Sequence, residues 1–296
     1  MNKGREIKTT DVVRDRNPYH AVDGTPQLLT SVFAYMDILG FREMIGQAEE
    51  KNRQTEFLEA LHNALSAGRV ELEEPQDGVH SLLKKDLSTL KAFTDNIVIG
   101  WPIRDDAESE TGAAFSSLGL FQFEMVRRGF FVRGALSIGL AFIDDIAVFG
   151  DALTQAYKGE TELARDPRII LTESAVNAVK HHLRYYGNGL HAPQVRDLLR
   201  DADGQWFLNY LDCVLIAEEE HGPLYAELME HKETIEKKLA EHKNRPPIFS
   251  KYVWAANYHN SFCDLHSRHF SREHKINQKL FNAPPSLILN ENGLTG

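Results

Sequence analysis

Residues 33–41, FAYMDILGF, place one carboxylate, Asp37, inside an otherwise apolar run. Such a run packs a core as a strand, and a carboxylate enters a core only when something pairs with it, because desolvating a lone charge is costly. The reading of the chain turns on what pairs with Asp37. Directly after it, the chain passes through Gly40 and Phe41 into a helix, whose first backbone N–H groups are free to meet phosphate.

The neighbouring segments fill in a pattern. Ser31–Asp37 is a strand, and residues 40–68 carry apolar positions at helical spacing. TLKAFTDNIVIGWP (89–102) reads as two strands about a tight turn at Asp95-Asn96. An amphipathic helix ends at Gly129, and FFVRGALSIGLAFI (130–143) is a strand in which Gly134 and Gly139 permit close approach of another backbone or a ligand. A helix opens at Gly150-Asp151, RIILT (168–172) is a buried strand, and 173–186 is a further helix. The core order is βαββαβ, an α+β fold of ferredoxin-like arrangement. DGQWFLNYLDCVLI (203–216) adds a hairpin, and 227–244 and 250–270 read as helices separated by Arg-Pro-Pro at 245–247. The expected divisions are a polar arm over 1–28, a catalytic domain over 29–217, and a helical extension with a trailing tail over 218–296.

A chain of 296 residues with net charge -10 lacks the basic face that nonspecific binding to nucleic acid or an anionic membrane needs; a nucleotide asks only for a local patch. Cys213 and Cys263 read as free thiols of a reducing cytosol. A polar N-terminus and the lack of a long apolar stretch point to a soluble, cytoplasmic protein.

In a βαββαβ sheet the first and third strands are central, and the tip of the hairpin comes beside the end of strand one. Asp37 and Asp95 would converge there and repel unless a cation lay between them. A divalent metal, Mg²⁺ first, is then the expected partner of Asp37. The plainer alternative is that Asp37 caps the helix and Asp95 is a turn residue.

These motifs resemble class III nucleotidyl cyclases, the adenylate/guanylate cyclase superfamily. YMDILGF is similar to that family's FADIxGF, KAFTDNIVI to its KTIGD hairpin, and FVRGALSIG to its LRIGIxxG strand. The segment 148–175 is similar to its VNxAxRL helix and following strand. The wording is closer still to the pyrimidine cyclases of bacterial Pycsar anti-phage systems.

The resemblance implies that Asp37, Asp95 and the carbonyl of Ile38 hold two Mg²⁺ or Mn²⁺ ions. Tyr35, Lys91 and Ala147 fall at base-facing positions, Thr154 at the transition-state Asn, and Lys158 at the transition-state Arg. A methyl group at 147 cannot hydrogen-bond, which departs from a purine pocket, and Lys158 is a point charge rather than a planar fork. The implied activity is conversion of UTP to cyclic UMP and pyrophosphate in a homodimer with composite sites. Cyclic CMP from CTP is the alternative, and a nucleotide-binding module without turnover is another.

Other residues carry competing readings. Arg133 in a central strand either touches phosphate or sits in an ion pair. Cys263, His266, His269 and His274 have spacing open to zinc but read as a solvated helix face, and Lys84-Lys85 as a solvated loop.

Overall fold

The computed structural model describes residues 17–73, 88–104, 106–216 and 221–281. The Lys84-Lys85 loop, the first part of the arm and the trailing tail lie outside the described residues. At the centre is β1 (Leu29–Ile38), flanked on one side by β3 (Asn96–Pro102) and on the other by β4 (Val132–Ile143), both antiparallel to it. The sheet continues outward from β3 to β2 (Thr89–Phe93). Beyond β4 come β6 (Ile169–Leu171), β8 (Trp206–Leu208) and β7 (Leu198–Arg200), in the order β2-β3-β1-β4-β6-β8-β7. The β4–β6 pairing is parallel, and the short β5 (Val148–Phe149) folds back on the end of β4. The fold is α+β with a mixed sheet.

Strand alternation sorts the side chains of β1 onto two faces. Val32, Ala34, Met36 and Ile38 pack with Ile97, Ile99 and Trp101 against α3 (Glu108–Arg127). Against that same core lie α1 (Phe41–Glu50), α2 (Gln54–Glu73) and α5 (Glu173–His182). Phe33 and Tyr35 point the other way, onto Ala152 and Ala156 of α4 (Asp151–Glu162). By the same alternation Asp37 faces α4, away from the main core. Gly134 of β4 allows the strands to close here: a Cβ on it would stand 2.5 Å from the Tyr35 carbonyl oxygen.

The structure departs from the sequence reading at four places. The hairpin turns on Thr94-Asp95, not Asp95-Asn96; Thr94 takes φ 56°, and Asn96 is already in β3, opposite Phe93 and Asp37. The later hairpin, which follows the short α6 (Pro193–Asp197), pairs 198–200 with 206–208, closed by the Asp201 N–H to the Gln205 carbonyl (3.0 Å). Tyr210–Leu215 is a 3-10 helix, with Tyr210, Leu211, Cys213, Val214 and Leu215 all buried rather than alternating as a half-exposed strand would. The polar stretch before β1 is docked from Asn17 onward: Tyr19 is fully buried and donates to Ser31 Oγ (3.0 Å).

The fourth departure concerns α8 (Pro246–Leu265), which with α7 (Tyr225–His242) covers the sheet beyond β4. Cys263 is fully buried, as are Tyr258, His259 and Phe262, so this helix is core rather than a solvated face. Its buried polar atoms are paired. Tyr210 donates to His231 Nε2 (2.9 Å), the two histidine Nδ1 atoms meet at 2.9 Å, and His259 Nε2 meets the His274 carbonyl (2.8 Å). That carbonyl can only accept, so His259 carries its proton on Nε2 and His231 on Nδ1. Among the described residues, no helix is long and apolar enough to cross a membrane.

Candidate active site

Asp37 sits one residue from the end of β1, directly opposite Arg133 of β4. The guanidinium donates to Asp37 Oδ2 from Nε (3.3 Å) and Nη2 (3.2 Å). Nη2 also lies 2.8 Å from Oε1 of Glu160, a carboxylate of α4 that is 5 % exposed. The ion-pair alternative for Arg133 is the one observed. Gly159 lets α4 come this close, since a Cβ there would stand 2.8 Å from that of Ala135.

The hairpin tip reaches the same place. The Ile38 N–H donates to the Asp95 carbonyl (2.9 Å), fastening the turn to the end of β1. Asp95 Oδ1 accepts from Thr94 Oγ1 (2.9 Å) and Asn96 Nδ2 (3.1 Å), while the Tyr35 hydroxyl donates to Asn96 Oδ1. The Tyr35 ring meets Tyr157 of α4 edge-on, centroids 5.4 Å apart. Asp37, Ile38, Asp95 and Tyr35 are thus one group, which Gly40 closes as the left-handed residue (φ 74°) that opens α1. The Phe41 side chain turns into the core against Phe57, so only its backbone remains on the site side.

The electrostatics follow from this packing. Burial pushes the Asp37 carboxyl up to about 6, with Asp95 and Glu160 adding to the rise and Arg133 opposing it. Burial likewise pushes the Tyr35 hydroxyl up to about 12, helped by the charges of Glu160, Asp37 and Asp95. Lys251 of α8 feels the same group: burial lowers its ammonium, Arg133 adds to that, and Asp166, Asp37 and Glu160 oppose it. Among the described residues, no three His, Cys, Asp or Glu side chains are grouped to hold a metal ion.

Two further predicted residues, Lys91 and Ala147, both bond to the turn at 144–147. Lys91 is on β2, in the same row as Val98 and Tyr35, and donates to the carbonyls of Asp144 and Asp145, 3.0 Å each. Ala147 closes that turn, its N–H donating to Asp144 Oδ1 (2.7 Å). Thr154 and Lys158 are not gathered in. Both are exposed on the outer side of α4, where Thr154 Oγ1 reaches the Gly150 carbonyl (3.4 Å) and Lys158 lies 3.9 Å from Glu162.

Sequence reasoning missed Glu160 and Lys251. A signal for Glu160 existed: Ala152, Ala156 and Glu160 recur every four residues, so the buried stripe of α4 ends on a carboxylate that needs a cation. Lys251 carried none, because only the folding of α8 over the sheet brings it near.

No known protein family and no curated protein matches the sequence. Among solved structures, the chain is similar to the crystal structure of a class III adenylyl cyclase-like ATP-binding protein from Pseudomonas aeruginosa. The TM-score is 0.38 at 15 % identity, over 58 % of this chain and 40 % of the other. The chain thus spans well under half the length of that protein, and a likeness at this score assigns neither fold nor function.

Proposed function

We propose that the protein is a nucleotidyl cyclase of the class III kind, built on a ferredoxin-like βαββαβ core, that converts UTP to 3′,5′-cyclic UMP and pyrophosphate. The observation that carries the reading is the stitching of the Asp95 turn to the end of β1, which sets Asp95 beside Asp37. Two carboxylates so placed, with the charge of Asp95 helping to raise the Asp37 carboxyl, fit a divalent cation. Asp37, Asp95 and the Ile38 carbonyl would hold Mg²⁺ or Mn²⁺, with substrate phosphates supplying further oxygens. When bound, such ions lower the pKa of the ribose 3′-hydroxyl and take up charge on the leaving pyrophosphate.

The rest is positioning, which dominates phosphoryl transfer. The triphosphate would lie toward Gly40 and the first amides of α1. The base would lie along the row holding Tyr35 and Lys91. Two of the three Lys91 donors are taken by the 144 and 145 carbonyls, leaving one for a uracil carbonyl. Cytosine presents an amino donor where uracil has O4, which an ammonium cannot satisfy; cyclic CMP is therefore the second choice.

Thr154 and Lys158 serve this chemistry only across a subunit boundary. Their exposed face of α4 is flanked by Phe149 (65 % exposed), Ile146 (90 %) and Tyr157 (51 %), apolar side chains that a second copy would cover. A cytoplasmic homodimer with two composite sites is the form this favours. The motif resemblance to pyrimidine cyclases supports reading the product as a second messenger in anti-phage defence.

One observation supports a different reading. Arg133 already satisfies Asp37, as it would in a cyclase-like module that binds a nucleotide without turning it over. Incubating the protein with each of the four nucleoside triphosphates and Mn²⁺ or Mg²⁺, then resolving the products, separates these readings.

A further inference from the structure

An open cleft of about 440 Å³ lies between α1, the start of α2, the end of α3 and α7, and shares no residue with the Asp37–Asp95 group. On a chain of net charge -10 its lining is strongly biased: Lys51, Arg53, Arg127, Arg128, Lys237 and Lys238 stand against one acid, Glu56. Four of these cations are already engaged. Arg53 pairs with Glu56, Arg127 with Glu124 and Glu230, Arg128 with Glu124, and Lys238 with Glu241 at 3.6 Å. Lys51 and Lys237 have no ion-pair partner among the described residues, yet both line the cleft. The rest of the wall includes the polar Gln47 and Thr234 beside Met44, Phe57 and Phe130.

Both lysines are exposed on the cleft wall, and an anion bound there would gain from their charge. The half-buried Phe57 in the wall adds a face for a planar ring, on which stacking is favourable. The volume is within the range of small-molecule sites. We infer that this cleft is a binding site for a nucleoside monophosphate or a metabolite of that class, its ring on Phe57 and its phosphate toward Lys51 and Lys237. It is a second site, independent of the chemistry assigned to Asp37 and Asp95.

Equilibrium dialysis of the full-length protein with AMP and UMP, in buffer without divalent metal, tests it. Monophosphate binding should be equal in the wild type and in an Asp37→Ala, Asp95→Ala variant. It should fall by about tenfold or more in Lys51→Glu, Lys237→Glu, a loss of about 1.4 kcal/mol. The charge-keeping Lys51→Arg, Lys237→Arg variant should retain it, which separates lost charge from lost fold. Inorganic phosphate and the bare nucleosides should each bind more weakly than the monophosphates. Failure of both monophosphates to bind, unchanged binding in the Glu variant, or loss in the Asp variant overturns the site. Binding of inorganic phosphate as tight as AMP overturns the ligand class.

Discussion

Arg133 and Asp37 are direct cross-strand neighbours on β4 and β1, and the guanidinium of one holds the carboxylate of the other at 3.2 Å. The same guanidinium lies 2.8 Å from Glu160, so two carboxylates share one cation at the junction of sheet and α4. An isolated Asp37 in this position would stay protonated or demand another cation.

Removing that cation should therefore be costly. Arg133→Ala strands Glu160, which is almost fully buried, and Asp37, which is partly exposed. Loss of roughly 2–4 kcal/mol of folding stability is expected, allowing for the solvent that reaches Asp37. Urea denaturation monitored by circular dichroism reads this directly; an unchanged midpoint would show that the pairing contributes nothing.

Subunit sharing has its own test. A chain carrying Asp37→Ala and Asp95→Ala, mixed with a chain carrying Lys158→Ala, should recover part of the lost turnover, because a heterodimer contains one intact composite site. Native mass spectrometry establishes that the chains exchange. Exchange with no recovered activity would mean that Lys158 serves its own chain or none.

Base choice is where Lys91 enters. Lys91→Ala should narrow the ratio of UTP to CTP turnover by roughly ten- to a hundred-fold, the worth of one mispaired buried polar group. Competition kinetics with both nucleotides measures that ratio. Equal losses on the two substrates would assign Lys91 to fastening the 144–145 turn instead.

Acid should loosen the C-terminal helices first. Burial holds His231 well below its ordinary range and His259 at about 4, so both are neutral when folded. The unfolded chain binds more protons between about 6.5 and 4, so the stability these residues contribute is present above pH 6.5 and lost as pH falls toward 4. For His259 alone the loss approaches roughly 3 kcal/mol. Thermal melts from pH 7 to 4 should show the decline, and His259→Gln should flatten it. A wild-type profile with no loss over that interval would contradict the neutral pair.

Much of the fold was legible because its signals are local. The apolar run at 33–41, the strand pair at 89–102 and the helix opened by Gly150-Asp151 follow from residue spacing alone. The site was legible in part, since Asp37 and Asp95 both stood out as carboxylates at strand ends. What ties Asp37 down was not, although a charge at 133 in a central strand announced that some partner existed. Its identity depends on the β1–β4 register, set by strands almost a hundred residues apart in sequence. The turn slipped by one residue because Thr94, rather than a residue suited to it, takes the left-handed conformation. The polar letters of α8 disguised its burial: His259 and Asn260 are inside because each finds a hydrogen-bond partner there, which no periodicity reveals.

Nucleotidyl cyclisation by the Asp37–Asp95 group is read out with α-labelled UTP. Wild-type protein with Mn²⁺ should release labelled cyclic UMP, with less product from CTP and least from ATP and GTP. Asp37→Ala and Asp95→Ala, each folded by circular dichroism, should lower the rate by about a thousandfold or more, since metal-borne stabilisation of charge is worth several kcal/mol. No cyclic product from any of the four triphosphates, or full activity in either aspartate variant, would rule out cyclisation at this group.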